Sequence, residues 1–275
     1  MNLVWGALII GGVAAVAVTA MLLVRRTAPQ GSYFADGDRA AGVFGVLATG
    51  FSVLLGFIVF LAFSSFDQSR SGAEQEALVL VQQVETAQFF PEAVRAELTG
   101  ELVCYGRSVV NVEWERMRAG EQGDQLNPWG VELFRTLQTV EPETASEQSA
   151  YDKWLEQTSA REEARLDRVH GAVGVIPTQL WIVLFLTAGL IFGFMLFFAD
   201  SGERAVVQGV LIGVVVAVIA AMLLLLRGLD SPFHSGVGGL EPVAMERSLR
   251  IVDEALRVVG EQQPPPCDER GLPRS

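Results

Sequence analysis

The sequence predicts an all-α integral membrane protein with four transmembrane helices and an extramembrane helical region inserted between spans two and three. Three observations lead there. Half of the residues are apolar, and they concentrate in four almost charge-free stretches: Leu3 to Val24, Ala41 to Phe63, Thr178 to Ala199 and Ala205 to Leu226. At about 1.5 Å per residue, roughly 20 residues cross a hydrocarbon core of ~30 Å. Between the two pairs of stretches, apolar residues recur at helical spacing, and no alternating run suggests a strand.

The first span is followed by Arg25 and Arg26, lacks a basic leader and is too long for a signal-peptide core, so it reads as a retained helix. The linker TAPQGSYFADGDRA breaks helix with proline, glycine and aspartate. The second span, from about Ala41, runs past Phe66 as a continuing helix and stops at Pro91. Residues 1–66 therefore hold spans one and two, and 67–176 form an acidic extramembrane region. In that region Val94, Leu98, Leu102, Tyr105, Val109 and Val112 lie on one helix face. Gly120 to Asp124 break the pattern, and further helices are expected near Pro128 to Leu137 and Thr144 to His170.

Pro177 suits the start of the third span, and Trp181 suits an interfacial depth. The short loop ADSGER makes spans three and four an antiparallel hairpin over residues 177–227. Residues 228–260 carry a turn-rich link and an amphipathic helix with Met245, Leu249, Val252, Leu256 and Val259 on one face. The Pro-rich residues 261–275 are expected to be disordered.

Charge and cysteine usage narrow the function. The net charge is −12, and residues 67–178 hold 20 acidic and 10 basic side chains. An acidic surface repels nucleic acid; a non-conducting membrane scaffold or sensor that binds a protein partner through this region is one reading and a solvated surface the other. Cys104 and Cys267, far apart in sequence, suggest neither a disulfide framework nor a metal site. No ionisable residue lies inside a span, which argues against pumps and ion-coupled transporters. The spans also lack a nucleophile with a base, so no enzyme and no cofactor are expected. The adjacent Glu113, Trp114 and Glu115 read as solvated helix surface, since neighbours on a helix diverge by about 100°.

Two rows within the spans are candidate functional surfaces. In the second, Gly45, Thr49, Ser52, Gly56, Phe60, Phe63 and Asp67 share one face, running from small, weakly polar residues through two aromatics to an acid. This row is either a helix–helix seam capped by aromatics or a pore-facing surface whose collar is Phe60 and Phe63; apolar constrictions can gate by dewetting. Phe57 and Phe66 rotate away from it. In the fourth span Gly209, Gly213, Ala217 and Ala221 form a small-residue ridge that lets another helix approach closely. Span three or a second subunit is the expected partner.

Several local patterns in order resemble a bestrophin-like family of bacterial and plant membrane proteins of unknown function. They are the second span running into Glu76-Ala77 and Pro91, Glu113-Trp114 in EWERM, REEARLDR before IPTQLW, the closing hairpin, and LDSPFHSGVGGLEP. The resemblance covers about residues 40–250. It implies an architecture related to bestrophins, which are pentameric anion channels whose second span lines the conduction path. By that resemblance the chain is a homo-oligomer in a bacterial plasma membrane and Phe60 and Phe63 are neck residues. Bestrophins follow a Pro-Phe with an acidic calcium clasp, whereas Pro232-Phe233 here leads into HSGVGG, so calcium gating is not implied. Asp230 and Glu241 read as turn and cap residues. On orientation the two readings part. Arg25, Arg26, Arg39 and Arg204 in the short loops place the acidic region outside by the positive-inside tendency. Arg161, Arg165, Arg168 and Arg227 on the other side, and the bestrophin comparison, place it in the cytoplasm.

Overall fold

The computed structural model describes residues 3–31, 33–121, 126–260 and 263–274, with the Val259 side chain left aside. Among these residues there are helices and no strands. They run α1 (Leu3–Arg25), α2 (Gly37–Ala87), α3 (Glu92–Ser108), a π segment (Val109–Glu113), α4 (Trp114–Arg118), α5 (Pro128–Gln138), α6 (Ala145–His170), α7 (Thr178–Phe197), α8 (Ala205–Leu229) and α9 (Val243–Val259). The chain divides into two compact units. The first holds residues up to 64, 175–230 and 235–238; the second holds 65–174, 231–234 and 239–275.

The first unit is the membrane bundle. α1, α7, α8 and the N-terminal part of α2 are long and apolar enough to span a bilayer. Helices are the open solution in lipid because they satisfy their backbone groups internally. α2 is a single helix of 51 residues, about 77 Å long at 1.5 Å per residue, so it outruns the hydrocarbon core. Two seams hold the bundle. Phe51, Leu55, Ile58 and Ala62 of α2 are buried with Leu184 and Ile191 of α7 and Leu226 of α8. Ala17 and Met21 of α1 are buried with Ile212 and Val216 of α8. One end is tied by its loops: Arg25 donates to the carbonyls of Asp200 and Ser201 at 3.0 and 3.1 Å, and Tyr33 N donates to the Phe197 carbonyl at 3.2 Å. The loop following α8 is tied back to the start of α7. Asp230, buried at the C-cap of α8, accepts from the Val175 and Ile176 amides, both at 2.9 Å, and from the Trp181 indole at 3.3 Å. That is the turn-and-cap role expected of it.

The second unit has a conventional closed core. Leu98, Leu102, Tyr105 and Val109 are buried there, and Val94 and Val112 are half-buried. The continuous helix expected over this stretch is interrupted by the π segment, whose extra residue resets the face so that Trp114 and Met117 point inward. α6 begins at a capping box in which Thr144 accepts from the Glu147 amide while the Glu147 carboxylate accepts from Thr144, satisfying donors that the first turn leaves free. α9 buries Met245 and Val252, with Leu249 and Leu256 half-buried.

The expectations for the cysteines and for the tail fail in this unit. Cys104 and Cys267 form a disulfide, although 163 residues separate them in sequence. Residues 263–274, expected to be a disordered tail, are packed: Cys267 is fully buried, the Trp129 indole donates to the Gly271 carbonyl at 2.6 Å, and the Arg107 guanidinium donates to the Asp268 carbonyl at 3.2 Å. Proline-rich composition removes helix and strand as options but not docking. Residues 261, 262 and 275 lie outside the described residues.

Candidate pore-facing helix and a buried charge network

α2 has two faces of different character. Its buried side, Phe51, Leu55, Ile58 and Ala62, packs into the bundle. Gly45, Thr49, Ser52, Gly56, Phe60 and Phe63 lie on the other side and all are exposed, Phe60 at 64% and Phe63 at 53%. A Cβ placed on Gly45 or Gly56 would meet nothing within 4 Å. The row is therefore not a helix–helix seam within this chain, one of the two readings left open above. Ser52 turns its hydroxyl back to the Ala48 carbonyl at 2.9 Å, leaving a surface of small residues followed by two phenylalanines. Asp67, one turn further along α2, is exposed as well. Phe57 is also exposed and Phe66 half-buried.

The small-residue ridge of α8 has a different partner from the one expected. A Cβ on Gly209 would lie 3.5 Å from both Met21 and Val18, and one on Gly213 would lie 3.2 Å from Val18. These glycines admit α1, not span three. α7 and α8 remain antiparallel through their short loop, yet α8 packs far more extensively on α1 than on α7. Ala217 continues the ridge half-buried, and Ala221 is exposed.

The second unit contains a set of buried charged residues that the sequence reasoning placed elsewhere. Arg161, Arg165 and Arg168 project from one face of α6 into the interior and are all buried. Arg168 is fully enclosed and forms two bonds to Glu76 of α2, one of them 3.1 Å, and one to Glu113 at 2.7 Å. Arg165 lies 3.4 Å from the Glu113 carboxylate, which also accepts from Asn127 at 2.8 Å. The Tyr105 hydroxyl donates to Glu76 at 2.6 Å. Arg161 sits over the Tyr105 ring, 4.7 Å from its centroid, and donates to Gln83 at 2.7 Å. Glu113 is thus not solvated surface: the π segment turns it inward, while Glu115 stays exposed.

The electrostatics follow from this enclosure. Burial alone raises the Glu113 pKa, but Arg168 and Arg165 outweigh it and hold the carboxyl below its ordinary value. Burial opposes the charge on Arg168, yet Glu76 and Glu113 more than compensate and its pKa is raised. For Tyr105, burial and then the neighbouring Glu76 push the phenol well up, so it remains a donor. Glu101 differs: it is buried, accepts from Thr136 at 2.9 Å, and faces Glu97 and Glu132 with no such cation. Burial, reinforced by those two acids and opposed by the Thr136 bond, pushes it up to about 7.

Around this network Trp114 meets the Phe233 ring edge-on at 5.3 Å and donates its indole N–H to the Leu240 carbonyl at 3.2 Å; Arg118 pairs with Glu241. α2 and α6 approach so closely here that a Cβ on Gly72 would lie 2.5 Å from the Arg168 amide nitrogen. The arrangement joins α2, α6 and the π segment through paired charges. Among the described residues no group of His, Cys, Asp and Glu is arranged to hold a metal ion.

The fold is shared with known structures. The bacterial bestrophin homologue from Klebsiella pneumoniae superposes with a TM-score of 0.63 at 14% identity, over 95% of this chain and 100% of that one. A single-site variant of it gives 0.65 at 12% identity, over 91% and 98%. No curated protein shows significant similarity to the chain. Glu76, Glu113-Trp114, Arg168, Pro232-Phe233 and Leu240-Glu241, which belong to the separate patterns noted in the sequence, meet in one network. A family model described as the Bestrophin-like domain matches residues 11–245, so the protein belongs to the Bestrophin-like family.

Proposed function

We propose that the protein is a passive, oligomeric channel-like pore of a bacterial plasma membrane, with the exposed row of α2 facing the conduction path and Phe60 and Phe63 forming its apolar collar. The observation that carries this reading is the division of α2: one face is packed into the bundle, while the row from Gly45 to Phe63 is exposed among the described residues. A lipid-facing helix has no need of glycine, threonine and serine in register. Small residues leave width for a path, and two phenylalanines narrow it to a dry constriction that water and ions cross only when it widens. The family's bestrophin relationship supports an anion as the permeant species and a homo-oligomer as the assembly.

The test is flux from liposomes holding the purified oligomer. Phe60→Ala and Phe63→Ala each raise passive chloride flux severalfold, and Gly56→Leu lowers it while the chain still folds, because a Cβ there meets nothing within 4 Å. Absence of flux from a folded oligomer overturns the proposal.

A further inference from the structure

We infer that the second unit lies outside the cytoplasm, on the oxidising side of the membrane, so that the short loops between α1 and α2 and between α7 and α8 face the cytoplasm. This goes beyond the pore reading and does not depend on it. It also runs against the placement that the bestrophin comparison implies.

The disulfide carries the first half of the argument. Cys104 and Cys267 are the chain's two cysteines, both wholly buried, and they are bonded to each other. The pairing is built in and not a chance proximity of surface thiols. The backbone of the tail lies against the end of α3, where a Cβ on Gly271 would come 2.3 Å from the Ser108 amide nitrogen; Gly271 holds a left-handed φ of 81° that favours glycine. Asn111 adds a bond to the Glu269 carbonyl at 3.3 Å, beside the Trp129 and Arg107 bonds already described. Structural disulfides of this kind form and persist in secreted, periplasmic or cell-surface domains, while the cytosol keeps thiols reduced. Closing the bond converts two thiols to one disulfide and passes two electrons and two protons to a thiol–disulfide oxidoreductase of the outer compartment.

Charge carries the second half independently. The positive-inside tendency is counted over short loops, because long segments cross largely regardless of their charge. The arginines on α6 belong to the long connection between α2 and α7 and drop out of the count. They are also interior residues of a folded unit. What remains is Arg25, Arg26, Arg39 and Arg204 at the short-loop end, against Arg227 at the other. Bond and count point the same way.

Cysteine accessibility in cells of a Gram-negative host producing the full chain tests this. Glu156→Cys lies on the second unit at an exposed site, and Ser201→Cys lies in the α7–α8 loop, also exposed. A membrane-impermeant maleimide is expected to label Glu156→Cys in intact spheroplasts and Ser201→Cys only after permeabilisation. In the unaltered chain, acid-trapped and treated with a maleimide-linked polymer, no gel shift is expected until a reductant is added. The reverse labelling pattern overturns the inference, and so do free thiols in the trapped chain.

Discussion

The two units solve opposite packing problems. In the membrane bundle the outer surface is apolar, as Val46, Phe57, Leu186 and Val214 illustrate, and the helices meet through small residues and interdigitated aliphatics. Apolar side chains gain nothing by leaving lipid, so close van der Waals packing supplies the cohesion, which is why Gly209 and Gly213 sit where α8 meets α1. In the second unit the exterior is acidic and the interior holds apolar residues together with Arg161, Arg165, Arg168, Glu76 and Gln83. There the hydrophobic effect drives closure, and the buried ions define which helix faces which. A buried ion pair is not in itself a source of net stability; its expected role here is to specify register between α2, α6 and the π segment.

That contrast is easiest to break at Arg168. Arg168→Ala leaves Glu76 buried without its cation and Glu113 with Arg165 alone, a loss on the order of 3–5 kcal/mol, read as a fall in the midpoint of denaturant unfolding and in protease resistance of the second unit. A double change, Arg168→Met with Glu76→Leu, is expected to recover much of the loss; failure to recover would show that the network contributes net stability. Next in size is the disulfide. Cys267→Ser should cost about 2–4 kcal/mol and free the tail to proteolysis, with no effect on the membrane bundle.

Within the bundle, Gly213→Leu drives a side chain into Val18 and should cost about 1–3 kcal/mol, the usual range for overpacking. At Gly45 a Cβ meets nothing within 4 Å, and the same change should leave thermal stability of the isolated subunit untouched. Equal destabilisation at both positions would mean that the row on α2 is packed after all.

The smallest effect separates two acids of the second unit by the sign of their pH dependence. The folded pKa of Glu101 is raised to about 7, so the folded state holds the proton more tightly than the unfolded chain. Its contribution to stability is full below the ordinary carboxylate range and is lost as pH climbs towards 7. Glu113 is shifted down, so its contribution is present at neutral pH and disappears on acidification. Glu101→Gln should flatten the loss of melting temperature between about pH 4.5 and 7, whereas Glu113→Gln should flatten the loss at lower pH.

Helix periodicity and charge-free length were enough to find the four spans, the extension of α2 and the face of α9, because these are local properties of the chain. The row on α2 was legible for the same reason: residues three and four apart share a helix face whatever surrounds them. Arg161, Arg165 and Arg168 share a face by that rule too, but as charges they read as solvent-facing or membrane-flanking, and only the carboxylates brought by α2 and the π segment turn that face inward. The π segment itself has no signature in spacing; with it in place Glu113 meets Arg168 and Trp114 meets Phe233.

Sequence by itself determined that this is a four-span helical membrane protein with an acidic helical insertion, since lipid imposes length and composition on every spanning segment. Only the tertiary structure decided which helix the glycines of α8 admit, that the α2 row is exposed among the described residues, and that Cys104 and Cys267 are joined. Those are contacts between residues distant in sequence. Their distances depend on how whole helices pack, and chain separation says nothing about them.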